Sequence, residues 1–413
     1  MVSVARKNLL EDLPRFLVAQ AGIMFAVSLV TIQTGIFSGF TRSTTQLIEH
    51  SQADIWVTSE TLVHLELTLP IPASNVTQAQ KIPGVARAEP LILRGGIWRN
   101  SLAEIVPVRI IGFDPRGQLF SPRNVTRGNI SALNQPYTVM VDGTNLSGLN
   151  VENVGEVAEI ATLPAQVVGL TQGNRSIISN PFVFTSLASA NAYASSGQSS
   201  TLSCKLQTGS SDIECTNVYT QVDPKTTPAP KPLTASDPIT HVLIQAQPGV
   251  DLQALKQRLQ AALPNTRAFT QAELIRTNQT FWQQRTGIGF ILGLSAIVGV
   301  IVGVVVVGQI LYSSVTDHLK EFGTLKAMGA SDWKIYGVIV EQSLWMAILG
   351  YVPSMILCYG VGARTMATQG IMILITPVSA IAIFGVTIVM CVGSAVFAIQ
   401  KVTRVDPAIV FKA

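Results

Sequence analysis

Charge is what this chain has least of. Asp, Glu, Lys and Arg make up 13% of its 413 residues, against roughly 25% in an ordinary soluble domain, while 48% are hydrophobic. Mean hydropathy is +0.40. The shortage is concentrated in four places. No charge falls between Arg15 and Arg42, Arg285 and Asp317, Glu341 and Arg364, or Arg364 and Lys401, leaving runs of 26, 31, 22 and 36 residues. A helix rising about 1.5 Å per residue needs only ~20 residues to cross a ~30 Å hydrocarbon core. Four buried helices of a soluble core would not need to be both this long and this free of charge, so the chain is expected to be membrane-embedded.

The residues of familiar active sites are scarce as well. The four histidines, His50, His64, His241 and His318, are scattered and share no metal-ligand spacing, so no zinc or other metal site is expected. There is no G-x-x-x-x-G-K-[ST] loop, no Gly-Lys dipeptide and no G-x-S-x-G, which excludes the usual phosphate cradle and nucleophile elbow. No catalytic residue is assigned and the chain is not expected to be an enzyme. A net charge of +4 without a clustered basic patch excludes a nucleic-acid partner.

The spans set the layout. Residues 1–15 form an amphipathic N-terminal segment, 16–41 a first span, 286–312 a second, 335–363 a third and 376–400 a fourth. The loop 313–334 and the tail 401–413 join and end them. The apolar part of the first run, Phe16 to Phe40, is longer than the h-region of about 7 to 15 residues in a signal peptide and has no small-x-small cleavage site, so it is an uncleaved span. Arg6, Lys7 and Arg15 precede it, Lys320, Lys326 and Lys334 fill the loop after the second span, and Lys401, Arg404 and Lys412 follow the fourth. By the bias of cations toward the cytoplasm, both termini and the loop 313–334 are inside, and residues 42–284 are outside.

Within that exterior segment, ADIWVTSE (53–60) has strand composition, residues 70–85 hold a short helix between prolines, and VPVRIIGFDP (106–115) is a strand ending in a turn. The same pieces recur at HVLIQAQPGV (241–250) and DLQALKQRLQAAL (251–263), where Leu252, Leu255, Leu259 and Leu263 make a helical stripe. The expected class is an α-helical membrane protein with four transmembrane helices and a large α+β extracytoplasmic domain: a porter-like α+β subdomain from the two flanks, with a β-rich subdomain inserted at about 120–235. Cys204 and Cys215, with ten residues between them in a Ser- and Gly-rich exterior stretch, suit an oxidising compartment and are expected to form a disulfide. Cys358 and Cys391 fall in spans as packing residues.

Thr270 with Glu273 has the spacing of a capping box, and no proline follows until Pro353. A helix starting there either runs unbroken into the second span as a rod or ends at the interface. Two small-xxx-small spacings, Gly289 with Gly293 and Gly299 with Gly303, mark close helix contact, between two copies of the chain or within one. Glu341, the transmembrane ionisable residue, lies near the start of the third helix, where it either pairs with a neighbour or snorkels to the interface.

Between the second and third spans, Leu319, Phe322, Leu325, Lys326 and Met328 are spaced as a short amphipathic helix that Gly329 can end and Ser331 can follow with a new N-cap. Its apolar face needs a cover, which is either the membrane interface or a docked protein. The segment LKEFGTLKAMGASDWKIYGVIVEQSLWMAILGY closely resembles the cytoplasmic loop and third span of FtsX-like ABC transporter permeases of the MacB type. Lys320, Glu321, Phe322, Gly323, Leu325, Lys326, Ala327, Met328, Gly329 and Ala330 match, position by position, the run that in that family forms the ATPase-coupling helix. ADIWVTSE, PIP and PGVARAEPL look most like the DevC branch of cyanobacteria, and PAIVFK resembles the family's C-terminal ending.

The resemblance implies a multi-pass protein of the bacterial inner membrane and a homodimer of this permease bound to an ABC ATPase subunit. ATP and Mg would sit on that partner, and this chain would bind no cofactor of its own. It also implies a periplasmic membrane-fusion protein and an outer-membrane channel as further partners, membrane lipid as surroundings, and export of an envelope substrate such as a lipid, glycolipid, peptide or drug-like molecule. The alternative it leaves is a non-transporting protein that transmits force to an envelope enzyme or signal.

Overall fold

The computed structural model describes residues 13–174, 179–196, 201–206, 213–218, 227–285, 287–317, 324, 328, 331–369 and 372–403. The chain divides into two compact units, residues 1–40 with 286–413, and residues 41–285.

The first unit is helical. Helix α1 (Leu13–Ser43) is followed in the second unit by a short α2 (Gln46–Glu49), and the discontinuous membrane unit resumes with the three long helices that end the chain. Among the described residues four candidate spans, Phe16–Ser43, Gly289–Ser313, Trp333–Met366 and Pro377–Val396, are long and apolar enough to cross a bilayer. They pack through Ala19, Ile23, Ala26 and Val27 of the first, Val307 and Leu311 of the second, Ile339 and Met346 of the third, and Met390 and Cys391 of the fourth. Without a hydrophobic drive between helices in lipid, small residues and polar links hold such bundles. Gly299 faces Leu29 and Val30, and Gly303 faces Ala26 and Met390, so this spacing serves contact within one chain. Around Gly293 a side chain would meet nothing within 4 Å. Ser394 Oγ donates to the Val304 carbonyl at 3.0 Å, Tyr351 Oη to Ala380 at 2.8 Å, and the Leu374 amide to the Gly35 carbonyl at 3.0 Å.

The second unit is built on a mixed sheet. In chain order after α2 come β1 (Ile55–Ser59), β2 (Ile71–Pro72), α3 (Ser74–Gln80), β3 (Val85–Arg99), β4 (Ile105–Phe113), β5 (Val125–Arg127) and β6 (Thr138–Asp142). Next are α4 (Leu146–Leu149), β7 (Val157–Ile160), β8 (Leu163–Thr171), β9 (Phe182–Ser186) and α5 (Leu187–Ser195). The hairpin β10 (Thr201–Leu206) and β11 (Ile213–Val218) follows, then β12 (Pro238–Ile239), β13 (His241–Ala246), α6 (Leu252–Ala262), β14 (Thr266–Thr270) and α7 (Gln271–Arg285). The three terminal helices are α8 (Ile288–Asp317), α9 (Asp332–Gln369) and α10 (Pro377–Thr403).

The sheet has ten strands along the path β14-β1-β13-β3-β4-β9-β6-β8-β5, with β7 bridging β3 and β8. Strand β1 is antiparallel to both β13 and β14, while β4 with β9 and β6 with β8 are parallel. The early and late flanks therefore meet at one side, and residues 125–186 extend the same sheet from β4. Alternation along each strand divides its residues between two faces. Ile55, Val57, Ile92, Ile110, Val242 and Ile244 join one core, which Leu255, Leu259 and Leu263 complete. Trp56, Leu91, Leu93, Ile111, Phe184 and Leu243 join the other, with Leu47, Ile48, Leu65 and Leu274. Helix α6 starts where Asp251 accepts from the Gln253 amide at 2.9 Å, and its leucine stripe is the buried face the spacing predicts.

Candidate functional site: the root of the exterior domain

Both crossings between membrane and exterior pass through residues 41–54 and 270–285, and these two segments are tied together. Helix α7 begins with a reciprocal cap: the Glu273 amide donates to Thr270 Oγ1 at 3.3 Å, and the Thr270 amide donates to Glu273 Oε2 at 2.9 Å. Lys256 Nζ donates to Glu273 Oε1 at 2.7 Å. Burial opposes ionisation of this carboxyl, but the hydrogen bonds from Lys256 and Thr270 outweigh it and hold its pKa below the ordinary value.

One residue further on, Gln271 bonds in three directions. Its amide donates to Asp54 O at 3.0 Å, and its Nε2 donates to Ile48 O at 2.9 Å and Ser51 O at 3.3 Å. Two turns later Asn278, only 1% exposed, donates from Nδ2 to Thr44 O at 2.7 Å and accepts at Oδ1 from the Leu65 amide at 3.0 Å. Asp54 Oδ2 accepts from the Ala246 amide at 2.8 Å, fixing the same root to β13.

Leu65 belongs to a strap, residues 60–70, laid over the sheet. His241 Nε2, fully buried, donates to the Leu65 carbonyl at 3.1 Å, and the His241 ring stands edge-on to Trp56 with centroids 5.4 Å apart. His64 stacks on Phe281 at 4.7 Å and lies 5.1 Å from Trp282. Glu66 pairs with Arg109 Nη2 at 2.7 Å and accepts from Ser179 Oγ at 2.9 Å. Desolvation holds both imidazoles neutral, with pKa values lowered to about 4; for His64 the Arg109 charge adds to the effect. These contacts tie the strap to α7, β4 and β13. Among the described residues no group of three or more His, Cys, Asp or Glu could hold a metal ion.

The helix leaving this root does not continue unbroken into the second span. Helix α7 ends at Arg285, Gly287 has φ +68°, and α8 starts at Ile288. A left-handed residue cannot sit inside an α-helix, and glycine takes that conformation without a Cβ penalty.

A MacB-like periplasmic core domain model matches residues 16–262, and an FtsX-like permease C-terminal model matches residues 293–407. The chain belongs to the MacB-type, FtsX-like family of ABC transporter permeases. Two uncharacterised ABC transporter permeases from two strains of Mycobacterium tuberculosis are each 32% identical over 112 residues, 27% of this chain and 31% of theirs. The match thus spans 31% of the length of these curated relatives. Among solved structures, the periplasmic region of MacB from Actinobacillus actinomycetemcomitans is 9% identical, with TM-score 0.33, covering 56% of this chain and 95% of that one. The extracellular domain of the noncanonic ABC-type transporter YknZ from Gram-positive bacteria is 8% identical, also with TM-score 0.33, covering 52% and 99%.

Of the residues of this permease expected to couple to an ATPase, Lys320, Glu321, Phe322, Gly323, Leu325, Lys326, Ala327, Gly329 and Ala330 lie outside the described residues. Met328 is described: its amide donates to the Thr324 carbonyl at 3.0 Å, and its side chain is 72% exposed. Trp333, at the start of α9, is 84% exposed. Glu341 lies half-buried on α9 and makes no ion pair among the described residues. Cys358 and Cys391 are buried free cysteines. The backbone register sets Cys204 of β10 directly opposite Cys215 of β11. Sequence reasoning found none of Asn278, Gln271 or the strap, because their partners lie up to 234 positions away and no local spacing marks them.

Proposed function

We propose that this permease is the membrane subunit of a MacB/DevC-type ABC exporter, acting as a homodimer that carries motion from a separate ATPase to its exterior domain. The observation that carries this reading is the double tether at the root. Asn278 and Gln271 bind the chain entering the exterior domain to the chain leaving it, so displacement of either crossing loads the same sheet. Rigid transmission needs links with discrete geometry, and two side-chain amides bonded to backbone, Asn278 buried and Gln271 half-buried, supply them. The absence of a phosphate-binding loop from the sequence fits a subunit whose ATP and Mg are bound elsewhere. Exposed Met328, within the coupling segment, and Trp333, just beyond it, offer apolar surface for a partner. Both termini are cytoplasmic in this scheme, and an envelope lipid, glycolipid, peptide or drug-like molecule is the cargo, passed to a membrane-fusion protein and outer-membrane channel.

The test is recovery of the ATPase with the intact permease from membranes. Phe322→Asp and Gly329→Pro are expected to abolish co-purification while leaving the permease in the membrane. Undiminished recovery with both variants overturns the docking role.

A further inference from the structure

The strap has an inner and an outer side. Inward, Leu65 is buried in the sheet core, His64 stacks on α7, and Glu66 pairs with Arg109. Outward, Val63, Leu67 and Leu69 are 37%, 54% and 60% exposed. The turn itself is ordered: the Val63 and Leu67 amides donate to Leu67 O and His64 O at 3.0 and 2.9 Å. Its apolar side chains are thus held out by a closed turn whose other residues are all engaged.

Two independent anchors fix where along the chain's membrane crossings this turn sits. Asn278 holds the Leu65 amide and the Thr44 carbonyl together, and Thr44 directly follows Ser43, the last residue of the first span. His64 packs on Trp282, seven residues before Gly289, where the second span begins. Only seven positions of sequence separate the two residues, and the headgroup layer of a leaflet is itself several ångströms deep. Trp282 is also the residue type that settles at that layer. The cations nearby suit the same surroundings: Arg42, Arg276 and Arg285 are exposed close to the two crossings, where lipid phosphates would meet them.

We propose that the turn at residues 63–67, with Leu69, is a lipid-contacting element that rests in the headgroup layer of the outer face of the membrane. The occupant of this apolar surface is lipid and not protein, because both anchors hold the turn where the chain passes out of the bilayer and three arginines, Arg42, Arg276 and Arg285, lie beside the two crossings. By tying α7 to Arg109 and His241, the same strap makes the attitude of the sheet depend on that contact. This inference rests on the membrane spans alone and survives if no ATPase docks at Phe322.

The experiment places a photo-crosslinking amino acid at position 67, at position 69, and, as a control, at position 102, where Leu102 is 68% exposed on the β3–β4 hairpin tip. The full chain is reconstituted in nanodiscs of phosphatidylethanolamine and phosphatidylglycerol, irradiated, and analysed by mass spectrometry. Positions 67 and 69 are expected to give lipid adducts several-fold above position 102. Crosslinking of one chain to a second at 67 and 69 would show that a second copy covers the turn and overturns the proposal. Lipid adducts no more abundant than at position 102 overturn it equally.

Discussion

The side-chain amide of Asn278 donates to the backbone carbonyl of Thr44 at 2.7 Å across 234 residues of sequence, and its oxygen takes the Leu65 amide at 3.0 Å. A single buried residue therefore satisfies two backbone groups from two other segments. Each would be left without a partner in its absence.

Asn278→Ala is accordingly expected to destabilise the exterior domain by about 2–4 kcal/mol, since an orphaned buried backbone group costs roughly 1–3 kcal/mol. Asn278→Asp keeps the acceptor and loses the donor to Thr44. Thermal unfolding of the purified permease should rank wild type above both variants; a melting temperature unchanged by Asn278→Ala would deny the tether any structural weight.

His64 and His241 are both held neutral, with folded pKa values near 4 against an ordinary 6.5. Below 6.5 the unfolded chain takes up protons that the folded chain refuses, so unfolding becomes easier as pH falls. Stability from these two rings is complete above about pH 6.5 and drains away as pH drops toward about 4. Melting curves across that window should show the decline, and His64→Phe should flatten part of it by retaining the stack without the proton.

Cys204 and Cys215 face each other in register on β10 and β11. Directly opposed residues of antiparallel strands have Cα atoms roughly 4.5–5.5 Å apart, inside the range a disulfide spans. Non-reducing peptide mapping is expected to recover the linked pair. Cys204→Ser should lower stability by about 3 kcal/mol on the chain-entropy account, and two free thiols in permease purified from membranes without reductant would refute the bond.

Gly303 packs against Ala26 and Met390, whereas Gly293 faces open space. Gly303→Leu is expected to cost about 1–3 kcal/mol by overpacking, and Gly293→Leu to be tolerated in the isolated chain. Heat-induced aggregation of the two variants in detergent separates them. Equal behaviour would mean that the α1–α8–α10 contact is not as close as described.

The spans and the capping box were legible in the sequence because each is local. An uncharged run announces a bilayer crossing, and Thr270 needs only Glu273, three residues away, to start α7. The leucine stripe of α6 was legible for the same reason. The sheet order was not: nothing in VPVRIIGF indicates that β4 will lie parallel to β9, some seventy residues on. The strap escaped notice because ETLVHLELTLP has no period of its own; its partners are Arg109, Ser179, His241 and Asn278. The break at Gly287 was also hidden, since a glycine within an apolar helical pattern signals a left-handed residue only when its backbone is seen. The run at 320–330 was marked for ATPase coupling by its resemblance and its amphipathic spacing, and apart from residues 324 and 328 it lies outside the described residues.

Strand β1 pairs on one side with β13 and on the other with β14, so the first strand of the exterior domain to be made is sandwiched between two of the last. Almost two hundred residues separate Ser59 from His241. At a synthesis rate of about 5–20 residues per second, β1 waits roughly 10–40 s for its neighbours. During that interval IWVTS stands outside the cell membrane with both edges bare, an open template for pairing with other chains. Biogenesis of this protein therefore calls for something to shield that strand until translation has brought out the far end of the domain.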